Sequence, residues 1–155
     1  VPGFERTDIG EQVTTRHGSG VSPAPGTTEQ PEWKVGMDRV WLVAGALVGL
    51  GAVVAAALGA HALRGVLSAE ALELFGTAQS VQAWHAAALL ACGLWARQRP
   101  GRLVHWGAGL MLLGLIGFCG AVYALAFGTS LGALAPVGGM VLIAGWLVLA
   151  IAALA

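Results

Sequence analysis

The chain is 155 residues long, 57% hydrophobic and only 10% charged, with no net charge at neutral pH. A soluble domain carries roughly 25% charged residues to wet its surface, so this composition excludes a water-exposed globule. With no basic stripe to neutralise phosphates, it also excludes nucleic acid as a partner.

Residues 1–36 form a polar tail broken by Pro2, Pro23, Pro25 and Pro31, in which Arg6, Arg16 and Lys34 face Glu5, Asp8, Glu11, Glu29 and Glu32. Such a segment cannot bury enough apolar surface to order itself and is expected to be disordered. Met37 then opens MDRVWLVAGALVGLGAVV, with Asp38 and Arg39 as a polar cap before the apolar run. Translation is expected to begin at Met37, with the first span as an uncleaved anchor, which makes 37–155 the membrane domain.

Apolar stretches follow at about 40–60, 78–96, 103–127 and 131–155. A helix rises 1.5 Å per residue, so roughly 20 residues cross a hydrocarbon core of about 30 Å. The predicted fold is an all-α membrane protein: a bundle of four transmembrane helices behind the disordered N-terminal tail. Ser68 as a cap, with Glu70 and Glu73 near a positive helix end, predicts a short interfacial helix over 68–75 before the second span. The Arg97–Arg102 segment with its Pro-Gly pair joins spans two and three, and Gly128-Thr129-Ser130 joins three and four.

Lys34, Arg39, Arg97, Arg99 and Arg102 fall on one side of these spans and only Arg64 on the other. The positive-inside rule then places both termini in the cytoplasm, in a multi-pass protein of the cell (inner) membrane. Trp41, Trp95 and Trp106 fall near that same side, as interfacial aromatic anchors, with His105 beside them. Small residues four apart, such as Gly45 with Gly49, Ala55 with Gly59, Gly117 with Ala121 and Ala135 with Gly139, read as packing within one bundle. Cys92 and Cys119 sit in apolar runs and read as small buried hydrophobes.

Polar groups in hydrocarbon are costly unless paired, which singles out His61, Thr77, Gln79, Gln82, His85 and Tyr123. Gln82 and His85 share a helix face; with His61 and Tyr123 they are expected to form a polar cluster in the outer half of the bundle. Gly120 lies on the same face as Tyr123, and Pro136, inside the fourth stretch, is expected to free a backbone carbonyl. His61 and His85 resemble a haem-ligand pair only in number, with no second pair and no attachment motif, so no cofactor is expected. No nucleophile, base and orienter can be assembled and no metal motif occurs, so neither an enzyme nor a metal site is expected.

Gly59-Ala60-His61-Ala62-Leu63, Thr77-Ala78, Gln82-Ala83-Trp84-His85-Ala86, Leu89-Leu90, Gly120 with Tyr123, Leu131-Gly132-Ala133 and Pro136-Val137-Gly138-Gly139 through Gly145-Trp146 resemble a small four-helix membrane family, domain of unknown function family 423. The resemblance runs from Met37 to the C-terminus and departs at Val81, where the family carries an aromatic residue. It implies an integral membrane protein without an established reaction, ligand or partner. It also marks His61, Gln82, His85, Tyr123, Pro136, Gly138, Gly139 and Trp146 as pattern positions.

Two functions fit. The first is a membrane scaffold or accessory subunit that touches the lipid bilayer and either a second copy or another membrane protein. The second is a carrier or channel for protons or a small solute, lined by His61, Gln82, His85 and Tyr123.

Overall fold

The computed structural model describes residues 32–99 and 101–155, all of them helix or connecting turn. Of the tail expected to be disordered, 1–36, residues 1–31 lie outside this range, whereas 32–36 are helical. Four α-helices follow one another: α1 (Glu32–Ala60), α2 (Ala69–Gln98), α3 (Arg102–Ala126) and α4 (Ala135–Leu154), with a 3-10 turn (Ser130–Leu134) leading into α4.

Local chemistry sets the boundaries. Ser68 is extended, at φ −63° and ψ 164°, and its hydroxyl accepts the Ala71 amide at 3.2 Å, satisfying a donor that the first turn of α2 leaves free. From there α2 runs unbroken to Gln98, so the separate interfacial helix expected over 68–75 is absent. Nothing between Phe75 and Ala78 can stop a helix, since Gly76 weakens one only modestly. At the far end of α3, Gly128 takes φ +81°, a conformation that suits glycine. Its amide donates to the Leu125 carbonyl at 2.9 Å and that of Thr129 to the Ala124 carbonyl at 3.1 Å, the paired bonds that close a helix C-terminus.

Pro136 occupies the first turn of α4. There the missing amide costs nothing, because first-turn amides have no helical partner. The residue therefore starts a helix and does not kink one, contrary to the expectation from the apolar stretch 131–155.

The helices pack as two antiparallel hairpins, α1 on α2 and α3 on α4, joined through α2 on α3. Glycines set the closeness of each hairpin. In the first, Gly45 lies against Leu90 and Ala86, Gly93 against Leu42 and Gly59 against Phe75. In the second, Gly107 meets Leu149, Gly114 meets Leu142, Gly145 meets Met111 and Gly138 meets the Phe118 backbone. A methyl group at most of these positions would overlap a neighbour, so backbone approach here requires glycine. The interior is correspondingly lean: Ala78, Leu89, Cys92, Ala108, Met111, Leu115 and Cys119 form its main core, and Ala55, Phe75 and Ala126 a smaller one.

Outward faces are apolar, including Leu47, Leu50 and Val53 of α1, Leu113 and Ile116 of α3, and Met140, Ile143 and Leu147 of α4. Gly36–Ala60, Arg102–Ala126 and Ser130–Leu154 are each long and apolar enough to cross a membrane. Of the four expected spans, α2 is the exception. Its first half carries Glu70, Glu73, Thr77, Gln79, Ser80, Gln82 and His85, which dilute its hydropathy below that of the others.

Candidate functional site

Gln82 stands near the middle of α2, facing Val48 near the middle of α1. Its Nε2 donates to the Val48 carbonyl at 2.9 Å, and its Oε1 accepts the Tyr123 hydroxyl of α3 at 2.8 Å. One amide thus ties three helices. The fit depends on Gly51, because a methyl group there would come within 2.7 Å of Nε2. The Tyr123 ring is held on its other side by Phe75, with centroids 4.8 Å apart and planes tilted by 55°.

His85, one turn further along α2, bonds elsewhere. Its Nδ1–H donates to the Val81 carbonyl at 2.7 Å, and its Nε2 accepts the Trp146 indole N–H of α4 at 3.2 Å. The two bonds together require the neutral ring carrying its proton on Nδ1. An imidazolium has no lone pair to offer Trp146.

The polar residues singled out from the sequence therefore divide into two links. Gln82 and Tyr123 are joined; His85 pairs with Trp146; His61, exposed in the turn after α1, takes part in neither. Gln82 also lies opposite mid-helix Val48, deeper than the outer half expected for the cluster. Thr77 turns back to the Glu73 carbonyl at 2.9 Å. Gln79 lines an open pocket of about 660 Å³ between the α1 C-terminus and the α2 N-terminus, together with Arg64, Gly59 and Phe75. Of the expected packing positions, Gly138 is wedged against Phe118 and a methyl group on Gly139 would sit 3.7 Å from the Phe118 ring, whereas one on Gly120 would meet open space.

Three contacts were not foreseen. Trp41, expected at the interface, is buried, and its indole N–H donates to His105 Nδ1 at 2.9 Å. The Cys119 thiol donates to the Ala78 carbonyl at 3.4 Å. Arg97 pairs with the buried carboxylate of Asp38 at 3.2 Å. Opposite charges near the ends of consecutive spans were the available signal for that ion pair. The bonds from Trp41, Cys119, Tyr123 and Trp146 all run between the two hairpins. Glycine contacts close each hairpin, with the Gln82–Val48 bond and the Asp38–Arg97 pair added inside the first, and these four bonds fasten one hairpin to the other.

Apolar-faced helices stitched by a few polar links between them define a multi-pass helical membrane protein. Sequence comparison agrees. Residues 55–139 match the family described as Protein of unknown function (DUF423), and the chain belongs to that family. It is 38% identical over 118 residues to a UPF0382 membrane protein of Staphylococcus epidermidis, covering 75% of this chain and 96% of the relative. Similar relatives named UPF0382 membrane protein occur in Staphylococcus saprophyticus, 36% identical over 73% of this chain and 95% of the relative, and in Haemophilus influenzae, 34% identical over 74% and 93%. No solved structure matches the chain.

Proposed function

We propose that the chain is a small scaffold or accessory subunit of the cell (inner) membrane, with α2 as a fourth span and both termini in the cytoplasm, and without enzymatic activity of its own. The observation that carries this reading is the use of the polar side chains. Gln82, His85, Tyr123 and Trp146 bond to one another or to backbone within the chain. Groups so engaged fix helix register, a structural use worth on average about 0.6 kcal/mol per bond. Among the described residues the connections outside the helices are short, so what this part of the chain offers a partner is chiefly its apolar flank.

α2 is supported as a span by its partner. It lies antiparallel along α1 from the Asp38–Arg97 ion pair at one end to the Gly59–Phe75 contact at the other. Its more polar first half turns Gln82 toward α1 and α3, where both ends of the amide are hydrogen-bonded.

One observation favours a carrier for a small solute: the pocket beside Arg64 and Gln79 ends on Phe75, the ring that packs on Tyr123. Thiol labelling separates the readings. In a version lacking Cys92 and Cys119, Gln82→Cys and His85→Cys are expected to resist a hydrophilic reagent applied to intact cells. Labelling of either, in folded protein, marks an aqueous path and overturns the scaffold reading. Crosslinking in intact membranes is expected to give a defined oligomer or heteromer; monomer at every expression level would remove the main support.

A further inference from the structure

α2 and α4 both lean on α3 but make no extended contact with each other, and a furrow runs between them. Its inner part is a slot of about 360 Å³ walled by Ala88, Cys92, Trp95, Trp146, Leu149 and Ala150, with almost no polar surface. Its outer part is a pocket of about 480 Å³ bordered by Arg99, Arg102, Gly101, Val104 and Ala152. Trp95 belongs to both, and Arg99 caps the end of α2 four residues on, so the greasy slot leads into the basic pocket.

Two arginine side chains border the pocket, and no Asp or Glu side chain does. Among the described residues Arg97 has the Asp38 carboxylate, whereas neither Arg99 nor Arg102 has an acidic partner. The start of α3 adds to this: Gly101 supplies no side-chain cap, which leaves first-turn amides directed at the same space.

We propose that this furrow is a binding site for one anionic diacyl phospholipid, its phosphate held by Arg99 and Arg102 and an acyl chain laid along the slot past Trp95 to Trp146. Guanidinium groups match phosphate oxygens in pairs, and basic pockets between membrane helices select anionic headgroups. The apolar slot is what separates a lipid from a soluble phosphate, since a free anion would gain nothing from Cys92, Leu149 and Ala150. The indole of Trp95 sits at the junction of head and chain, where an amphipathic ring is favoured.

The test is native mass spectrometry of the full chain released from nanodiscs containing phosphatidylglycerol and phosphatidylethanolamine, with inorganic phosphate as a separate competitor. One retained phosphatidylglycerol per chain is expected, preferred over phosphatidylethanolamine by roughly tenfold or more, given two arginines near the headgroup. Arg99→Gln with Arg102→Gln should abolish the preference and Arg99→Lys with Arg102→Lys should keep most of it. Ala150→Phe, which fills the slot, should reduce retention of both lipids. Trp fluorescence and elution volume identify folded variants, and Ala91→Phe, at another residue lining the same slot, replaces Ala150→Phe should the latter fail to fold. Equal retention of the two lipids, or a preference that survives the glutamine pair, would overturn the proposal. Displacement of phosphatidylglycerol by inorganic phosphate alone would also overturn it, making the pocket a site for the free anion.

Discussion

Gln82 ties α1 and α3 to α2 with one amide, so its loss and the loss of a single partner should differ. Tyr123→Phe removes one bond and is expected to cost about 0.5–1 kcal/mol, whereas Gln82→Leu removes both bonds, leaving the Tyr123 hydroxyl without a partner and the Val48 carbonyl with its helical bond alone, and should cost about 1–2 kcal/mol. Reversible unfolding in mixed SDS micelles measures both, and the double variant should be less than additive because the residues share a bond. Equal, additive losses would mean that the Tyr123–Gln82 contact contributes nothing. The polar members of this network were legible in the sequence because each is expensive in hydrocarbon. Their partners were not. A backbone carbonyl such as that of Val48 looks the same at every position, and only helix register decides which one faces Gln82. Trp146 was legible as a pattern position, but its bond to His85 depends on how α4 leans across α3, which no local signal carries. His61 was grouped with the others for its chemistry, yet it falls just beyond α1 and faces outward.

Among the helices, the contrast between Gly138 and Gly120 is the sharpest. A methyl on Gly138 would fall onto the Phe118 backbone, which cannot move without parting α3 from α4, whereas one on Gly120 would meet nothing within 4 Å. Gly138→Ala is therefore expected to cost at least about 2 kcal/mol, and Gly120→Ala to stay within about 0.5 kcal/mol. The same unfolding assay decides it, and equal effects would contradict the seam. Gly128→Ala should cost about 1 kcal/mol for a different reason, the left-handed backbone at φ +81°. Helix existence was legible from apolar length, and the start of α2 from Ser68, because caps and runs are local. The end of the supposed interfacial helix was not, since a cap marks a beginning and says nothing about how far the helix continues. Pro136 misled for a related reason: the apolar run 131–155 is continuous in composition, but its first four residues belong to the 3-10 turn, leaving proline as the second residue of α4.

For the whole molecule, the arrangement of charge makes a topological prediction. Arg64 and Arg99 flank α2 at opposite ends, so if α2 spans, Arg64→Cys should react with an impermeant thiol reagent in intact cells and Arg99→Cys only after permeabilisation. Reaction of both from outside would place α2 on the membrane surface and leave three crossings.

The division between glycine seams within each hairpin and hydrogen bonds between hairpins bears on how the molecule comes together. Close backbone packing is available as soon as two consecutive helices sit side by side in the bilayer, so each half can zip on its own during synthesis. The bonds from Trp41, Gln82, His85 and Cys119 then act afterwards, as a recognition surface by which one finished half accepts only the matching half in one alignment. The protein is in this sense a complex of two subunits that share a covalent tether. Cutting that tether between Gln98 and Arg102 and expressing the pieces together should restore the native assembly.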